Sequence, residues 1–213
     1  MLENVEVIIH SCIRIEGHDP AVVAYFDPYL LDTDPHDADV VFITHDHYDH
    51  FSPDDIARVR KEGTVFVVPL SMADKLSELM PPVQGLVALA PGDGITVCGM
   101  RVEAVAAYNV GKDFHPQANN WLGYVVTVDG TRYYVAGDTD ANDDNRSVSC
   151  DVALVPAGGT YTMDAAEAAA FVNGLSPKAA IPTHYGSAVG PKEAGRAFAS
   201  AVDPSIEVEL KLG

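Results

Sequence analysis

Short β-branched segments bounded by glycine, proline, aspartate or asparagine recur along the chain, and this pattern constrains the fold more than any other feature. The predicted strands are VEVIIHSCIRIE, AVVAYFD, DVVFITH, TVFVVP, GITVCGMRVEAVAAY, WLGYVVTVDG, TRYYVAG, DVALVP, AAIPTH and IEVELKL. Helical patterns lie between them, at SPDDIARVRKEG, PLSMADKLSELM, TMDAAEAAAFVNGL and GPKEAGRAFASAV. This order predicts an α/β fold in which two β-rich halves pack sheet to sheet, with helices outside.

The chain is expected to form a single domain over residues 1–213, since its length suits one α/β domain and no linker-like segment interrupts it. Its hydrophobic fraction of 47% is enough for a substantial core. Ser52, followed by Pro53 and Asp55, predicts a capped helix start. Asp129 and Gly130 between two strand segments predict a tight hairpin turn.

The charge of the chain argues against two classes of partner. With a formal net charge of −18 and only 13 lysines and arginines, it is poorly suited to nucleic acid or to an anionic membrane surface. The N-terminal segment alternates like a strand and no apolar run could span a bilayer, so a cytoplasmic location is expected. Cys12, Cys98 and Cys150 are scattered, and we expect three small buried residues without a disulfide or a zinc-thiolate site.

The heptapeptide THDHYDH, from Thr44 to His50, follows the apolar run VVFI directly. His45 and His47 are two residues apart, so on an extended segment they face the same way, and imidazole nitrogen is a preferred ligand of zinc and related metals. Asp49 and His50 offer a carboxylate and a further imidazole in the turn that follows. The stretch can therefore serve two metal ions.

THDHYDH resembles the H-x-H-x-D-H signature of the metallo-β-lactamase superfamily of metal-dependent hydrolases. YDHFSPDD, YNVGKDFHP, YYVAGDTD and IPTHYG follow in the order of that family, and HSCIRI resembles the opening strand of the branch that includes L-ascorbate-6-phosphate lactonase and N-acyl phosphatidylethanolamine phospholipase D. The resemblance implies a four-layer αββα sandwich of two mixed β-sheets, with helices on both outer faces.

The resemblance also implies a set of metal ligands. His45 and His47 would hold the first ion, Asp49 and His50 the second, Asp138 would bridge the two, and His184 would complete the second site. Two divalent ions are expected, zinc in the first place, with manganese or iron as alternatives. Asp138 and His184 each follow an apolar strand segment, which places them at sheet ends.

The family usually supplies another histidine to the first ion soon after the strand VEAVAAY, but Asn109 stands at the position that aligns with it. His115, a few residues later in KDFHPQ, is the histidine available nearby. We therefore assign His115 to the first ion, with a surface position as the alternative.

Further residues receive roles around this centre. His10 ends the first strand segment near the expected metals, as a catalytic residue or as a hydrogen-bonded interior histidine, and Asp27 would orient a ligand imidazole. Substrate hydrogen bonds are expected from Tyr161, Thr162 and Tyr185. The tail of the acidic loop DTDANDDNRS is expected to be solvated rather than part of the site.

These residues predict an enzyme in which a metal-bound hydroxide, oriented by Asp49, attacks an ester-like bond of a small-molecule substrate. No G-x-S-x-G motif offers a serine nucleophile instead. Lactones, phosphodiesters and small esters stay open as substrates, and so does association into a homo-oligomer. The alternatives are a metal-binding protein without turnover and a di-iron oxidoreductase on the same scaffold; relatives of the latter kind usually carry an acidic residue at the position of His47 and a flavin domain. A nuclease is disfavoured by the charge.

Overall fold

A computed structural model describes residues 1–212, and two mixed β-sheets pack face to face in it. The first sheet has six strands in chain order: β1 (Val5–Ile9), β2 (Cys12–His18), β3 (Ala21–Phe26), β4 (Ala38–Phe42), β5 (Arg60–Pro69) and β6 (Gly85–Leu89). The strands of the second sheet are β7 (Gly94–Val97), β8 (Met100–Ala106), β9 (Leu122–Val128), β10 (Thr131–Val135), β11 (Val152–Pro156), β12 (Ala179–Thr183) and β13 (Glu207–Val208). The two sheets confirm the predicted sheet-to-sheet arrangement.

Both sheets change from antiparallel to parallel pairing along their width. In the first sheet, β1, β2 and β3 pair antiparallel, whereas β3 to β6 pair parallel. In the second, β7 to β10 pair antiparallel and β10 to β13 parallel. The predicted turn at Asp129 and Gly130 joins β9 to β10 as a hairpin, as expected.

Helices cover the outer faces of both sheets. Among the described residues they are α1 (Pro53–Val59), α2 (Ala73–Leu79), α3 (Ala165–Leu175) and α4 (Ala194–Ala201). Ser52 caps α1 as predicted, and Asp164 and Glu167 form a capping box at the start of α3. The predicted four-layer αββα sandwich is therefore confirmed. No helix within residues 1–212 is long and apolar enough to cross a membrane.

Three apolar clusters correspond to the three interfaces between these layers. The central cluster lies between the sheets, where Phe26 and Phe42 stack with ring centroids 4.6 Å apart and Tyr124 packs against Phe42 at 5.1 Å. A second cluster joins the second sheet to α3 and α4, and a third joins the first sheet to α1 and α2. Burial on both faces explains why the strand segments are nearly continuous apolar runs.

Several predicted boundaries were wrong. The first predicted strand is a hairpin of β1 and β2, because His10 takes a positive φ of 55° and turns the chain. Helix α1 ends at Val59, since Arg60 already pairs with Ala38 of β4. Strand β6 was not predicted, and only Glu207 and Val208 of the last predicted segment form a strand.

The cysteine prediction holds for one residue of three. Cys12 is buried, but Cys150 is half-buried and Cys98 is exposed. Cys98 lies in the turn between β7 and β8 with a φ of 48°, so it is not directed into the core. All three cysteines are free.

The two sheets are joined by hydrogen bonds at one edge. The hydroxyl of Tyr124 on β9 donates to the carbonyl of Ile43 at 2.7 Å, and the Leu122 amide donates to the Thr44 carbonyl at 3.1 Å. Further along the edge, the His184 amide donates to the His10 carbonyl at 3.0 Å. Loops from both sheets are thereby held against each other at this edge.

Candidate metal centre

The predicted ligands gather at this shared edge because each follows a strand that ends there or lies in a loop that returns to it. His10 follows β1, the segment His45–His50 follows β4, Asp138 follows β10 and His184 follows β12. His115 belongs to the loop between β8 and β9. The side chains of the predicted ligands and of His10 are buried, except for that of half-buried His47.

The first group of candidate ligands contains His45, His47 and His115, whose ligand atoms all lie within 4.8 Å of one another. His45 Nε2 is 3.1 Å from His47 Nδ1. The ring of Trp121 packs against this group, with its centroid 4.9 Å from that of His45 and 5.0 Å from that of His47. This is a set of three imidazoles with the spacing that a single cation requires.

The second group contains His10, Asp49, His50 and His184, again within 4.8 Å. Asp138 lies between the groups. Its Oδ2 is 3.2 Å from His115 Nε2 and 3.1 Å from His184 Nε2, while its Oδ1 is 3.3 Å from His50 Nε2. One carboxylate therefore reaches ligands of both groups, which is the geometry of a bridging ligand.

Unsatisfied polar atoms at this point indicate that the donor set fits metal ions. His50 Nε2, His115 Nε2, His184 Nε2 and Asp138 Oδ1 are all buried without a hydrogen-bond partner. A buried polar atom without a partner costs free energy, so such atoms are uncommon unless an ion or water satisfies them. Four of them facing one another, all nitrogen or carboxylate oxygen, match the ligand preferences of zinc and related cations.

Asp27 fixes the orientation of two of these imidazoles, as predicted for this residue. It accepts hydrogen bonds from His50 Nδ1 at 2.7 Å and from the Thr44 hydroxyl at 2.6 Å. Because that hydroxyl gives its proton to Asp27, it accepts from His45 Nδ1 at 3.0 Å. In their neutral forms, both histidines then carry their proton on Nδ1 and leave Nε2 free to bind a cation.

Asn109 occupies the position where the family pattern has a histidine, and the loop that follows returns His115 to its side. The Asn109 amide nitrogen in the main chain donates to the His115 carbonyl at 2.9 Å. Its side-chain Nδ2 donates to the carbonyls of Tyr161 and Phe114, at 2.6 and 2.9 Å. His115 Nδ1 lies 3.2 Å from the same Tyr161 carbonyl, to which it donates, and this leaves its Nε2 directed at Asp138.

The charges of the cluster are mutually balanced. Burial lowers the pKa of His45 well below its ordinary value, and the nearby His50 adds to this effect. Burial also opposes charge on His50 and His184, but Asp138 raises the pKa of both above the ordinary value. Burial likewise opposes charge on Asp138, yet His184 and His50 hold its pKa well below the usual range. An ionised Asp138 with protonated neighbours is thus favoured, and cations could take the place of those protons.

His10 is connected both to the cluster and to the surface. Its Nε2 lies 3.1 Å from Asp49 Oδ2, its Nδ1 lies 3.1 Å from the hydroxyl of exposed Ser187, and its ring packs on that of His184 at 3.9 Å. The contact with Ser187 was not predicted, since nothing in the sequence near Ser187 marks it. His10 is fully buried, as expected for an interior histidine, and it also contacts the candidate ligands Asp49 and His184. Both interpretations from the sequence are therefore compatible with its position.

The remaining sequence predictions had mixed outcomes. Tyr161 lines the cleft over the cluster, and its hydrogen bond to substrate stays a prediction. The hydroxyl of Tyr185 donates to the Leu212 carbonyl and that of buried Thr162 donates to the Met163 carbonyl, so neither faces the cleft and both predictions were wrong. The tail of the acidic loop is not wholly solvated, because Asn142 and Asn145 are buried and donate to the Asp140 carbonyl.

A cleft of about 340 Å³ opens above the cluster. Its walls combine metal-ligand candidates with apolar and aromatic side chains: His47, Tyr48, Asp49, Phe114, His115, Asp138, Tyr161, His184, Ala188 and Val189. Larger clefts occur elsewhere on the molecule, but none of them contains the buried cluster of imidazoles and carboxylates. The chemistry rather than the size of the cleft makes this one the candidate functional site.

Comparison with known proteins agrees with the fold and with this cluster. Residues 20–185 match the family model of the β-lactamase superfamily domain. Over 211 residues the chain is 31% identical to a UPF0173 metal-dependent hydrolase of Methanosphaerula palustris, and the alignment covers 94% of this chain and 92% of the relative. A UPF0173 metal-dependent hydrolase of Thermoplasma acidophilum is 32% identical over 199 residues, with coverage of 86% and 84%.

A crystal structure from Parabacteroides distasonis superposes with a TM-score of 0.78 at 28% identity, covering 98% of this chain and 93% of that one. The fold and the cluster thus define a metallo-β-lactamase-type domain. Within that superfamily, the chain belongs to the UPF0173 family of metal-dependent hydrolases. The lactonase-like and phospholipase-D-like branch suggested by the sequence stays a prediction.

Proposed function

We propose that this chain hydrolyses an ester-like bond of a small molecule, with two divalent cations held by His45, His47, His50, His115, His184, Asp49 and Asp138. The observation that supports this most directly is the set of buried, unpartnered ligand atoms that face one another beneath an open cleft. A small molecule is favoured over nucleic acid because the chain carries a net charge of −18.

The ligand set divides into two sites that share Asp138. His45, His47 and His115 would hold the first cation, and Asp49, His50 and His184 would hold the second. Zinc is the first choice because imidazole nitrogen predominates, whereas manganese prefers more oxygen ligands. When bound, the cations supply Lewis acidity that makes water reactive near neutral pH and polarises the oxygen of the scissile bond.

Asp49 and His10 are the residues that we assign to handling the nucleophile. Burial opposes charge on Asp49, but the hydrogen bond from His10 and the proximity of His184 hold the pKa of its carboxyl well below the usual range. Asp49 is therefore an ionised acceptor at neutral pH, able to orient a water molecule. His10 Nε2 lies 3.1 Å from Asp49 Oδ2, and this contact fixes the orientation of the carboxylate.

The first test of this proposal is metal content. We expect close to two equivalents of metal in the purified wild type and a loss of about one equivalent in His47→Ala, measured by elemental analysis. His18→Ala is the matched control, because His18 is an exposed histidine remote from the cluster. A metal-free wild type that takes up no zinc, manganese or iron would contradict the ligand assignment.

The second test is turnover with each metal restored in turn. Lactones, carboxylic esters and phosphodiesters form the substrate panel, and an absorption spectrum of the iron form tests for oxidoreductase chemistry. We expect hydrolysis that requires metal and that is lost in Asp49→Asn. A wild type that binds two equivalents of metal and hydrolyses nothing in the panel would favour the metal-binding protein without turnover.

A further inference from the structure

The mouth of the cleft is formed by apolar and aromatic side chains that the proposed chemistry does not use. Tyr48 stands on one side, 69% exposed, with its ring 6.1 Å from that of Tyr29. Phe114 also lines the mouth, 48% exposed, with its ring 4.7 Å from that of Tyr161. We call Tyr48, Phe114 and Tyr161, with Ala188 and Val189, the aromatic rim.

Exposure of large apolar side chains to water is unfavourable, and a ligand or partner that covers them gains free energy. Here such side chains surround the candidate site itself. The rim residues are also connected to the proposed metal ligands, either as sequence neighbours or through hydrogen bonds. Phe114 precedes His115, Tyr48 lies between His47 and Asp49, and Asn109 holds the carbonyls of both Phe114 and Tyr161. A substrate positioned for reaction at the cluster would therefore contact the rim.

The charges around the cleft argue against a substrate that is held by ion pairs with lysine or arginine. Within residues 1–212, no lysine or arginine lines the cleft. Two lysines on neighbouring loops are already paired: Lys75 Nζ lies 2.9 Å from Asp46, and Lys112 contacts Asp140 and donates to the Thr162 carbonyl at 2.8 Å. Lys192, on the loop that carries Ala188 and Val189, is exposed and lines a separate cleft with Ser187. Substrates with phosphate or carboxylate groups outside the scissile bond are usually held by lysine or arginine side chains, and none in the described part of the chain lines this cleft.

We propose that the substrate is an uncharged carboxylic ester or lactone whose substituents beside the scissile bond are apolar, and that these substituents pack on the aromatic rim. This inference rests on the proposed hydrolysis and narrows its substrate class. In the reaction, water adds to the carbonyl carbon and the bond from that carbon to the alkoxy oxygen breaks. One proton of the water goes to the leaving alcohol, and the other is released as the acid product ionises.

The test compares two substrates that differ only in charge. p-Nitrophenyl pentanoate and mono-p-nitrophenyl glutarate have acyl chains of equal length, but the second ends in a carboxylate. With the metal-loaded wild type, we expect kcat/KM for the pentanoate to exceed that for the glutarate by about tenfold or more, since the terminal carboxylate would lose water on the aromatic rim, where no described lysine or arginine lines the cleft to pair with it. Equal values, or a preference for the glutarate, would overturn the inference and leave the hydrolase standing.

Bis(p-nitrophenyl) phosphate distinguishes the bond type. A carboxylic ester is the expected substrate, so kcat/KM for the phosphodiester should be the lowest of the three. A phosphodiester value above that of the pentanoate would overturn the inference and support a phosphodiesterase. Absence of metal-dependent hydrolysis with all three substrates would overturn the proposed function and this inference with it.

A pair of variants tests the role of the rim. Phe114→Ala should raise KM for the pentanoate about fivefold with little change in kcat, because it removes apolar contact area and no reacting group. Leu79→Ala is the matched control: Leu79 on α2 is 50% exposed and lies outside the cleft, so its kinetics should equal those of the wild type. An unchanged KM in Phe114→Ala, with the variant folded by circular dichroism, would contradict the contact.

Binding to the metal-free protein gives a readout that does not depend on turnover. The pentanoic and glutaric mono-p-nitroanilides are the uncleaved counterparts of the two esters, and their binding can be followed by saturation-transfer NMR. The pentananilide should bind at least about fivefold more tightly, and Phe114→Ala should weaken it by a similar factor. Tighter binding of the carboxylate analogue would overturn the inference.

Discussion

Asp27 shows how one buried carboxylate can prepare a metal site before a metal arrives. It accepts directly from His50 and, through the Thr44 hydroxyl, sets the tautomer of His45. The family pattern predicts a supporting role for Asp27, but Thr44 carries no signal in the sequence beyond its position before His45. The support comes from the path of β3 and β4, which pair in parallel and end side by side.

Asn109 acts in a comparable way on the first group of ligands. Its side chain donates to the Tyr161 and Phe114 carbonyls and so holds the loop that presents His115. We predict that Asn109→Ala weakens metal binding at this group by about 10- to 100-fold, the usual effect of losing a residue that orients a ligand. Competition with a zinc-selective chelator measures the change.

Gln117→Ala is the control for Asn109→Ala, because Gln117 is an exposed residue of the same loop. Its metal affinity should equal that of the wild type. If Asn109→Ala kept wild-type affinity, His115 would be positioned by the loop backbone alone, and the assignment of Asn109 as a positioning residue would be wrong.

Among the elements, the junction after β11 depends on one close approach. A Cβ at Gly158 would clash with the carbonyl oxygen of His184, which is main chain and cannot move aside without moving the ligand. We predict that Gly158→Ala lowers the free energy of unfolding by about 1–3 kcal/mol and reduces the metal content of the second group. Urea denaturation and elemental analysis measure the two effects.

Gly174→Ala is the counterpart for Gly158→Ala. Gly174 lies in α3 with open space around its Cα, so alanine there should raise the free energy of unfolding by about 0.5–1 kcal/mol and leave the metal content unchanged. Loss of metal in both variants would point to a general effect on folding rather than to displacement of His184.

The elements also show which parts of the fold were predictable. Strands buried on both faces, such as β4 and β11, produce apolar runs that reveal them in the sequence. Strand β6 has the sequence GLVAL, which is poor in β-branched residues, and its parallel pairing with β5 comes from tertiary context. The end of α1 was mistaken for the same reason, since pairing of Arg60 with β4 overrides a local helical pattern.

For the whole molecule, the sequence located the residues of the candidate site better than the loops around them. THDHYDH is local, so its ligands could be found in one segment, and Asp138 and His184 follow strands whose ends were visible. The return of His115 to Asn109, the contact of Ser187 with His10 and the aromatic rim all depend on loop paths that periodicity does not encode. Tyr185 was misplaced because it packs instead against Gly195, on the far side of its loop.

Metal binding should stabilise the whole molecule, because the cluster joins loops from both sheets and exists only in the folded state. At a free metal concentration of 100 times Kd, one site contributes about 2.7 kcal/mol. For a domain of this size we expect a rise in Tm of about 5–10 °C per occupied site, and about twice that with both sites filled, over the chelator-treated protein, measured by differential scanning calorimetry. His47→Ala should show a smaller rise, and His18→Ala the same rise as the wild type.

The rise in Tm on metal binding should depend on pH, and the pKa values of the histidines determine the direction of that dependence. Asp138 raises the pKa of His184 and His50 above the ordinary 6.5, despite burial, so in the metal-free protein their protonated forms stabilise the fold fully below about pH 6.5. That contribution is lost as the pH rises through the folded pKa values. Cations compete with the same protons, so metal binding gains as the pH rises. Between pH 6 and pH 8, the Tm of the metal-free wild type should fall relative to the Tm of metal-free His50→Gln. Over the same range, the rise in Tm on adding zinc to the wild type should grow. A zinc-induced rise in Tm that becomes smaller towards pH 8 would contradict the assignment of His50 and His184 as ligands.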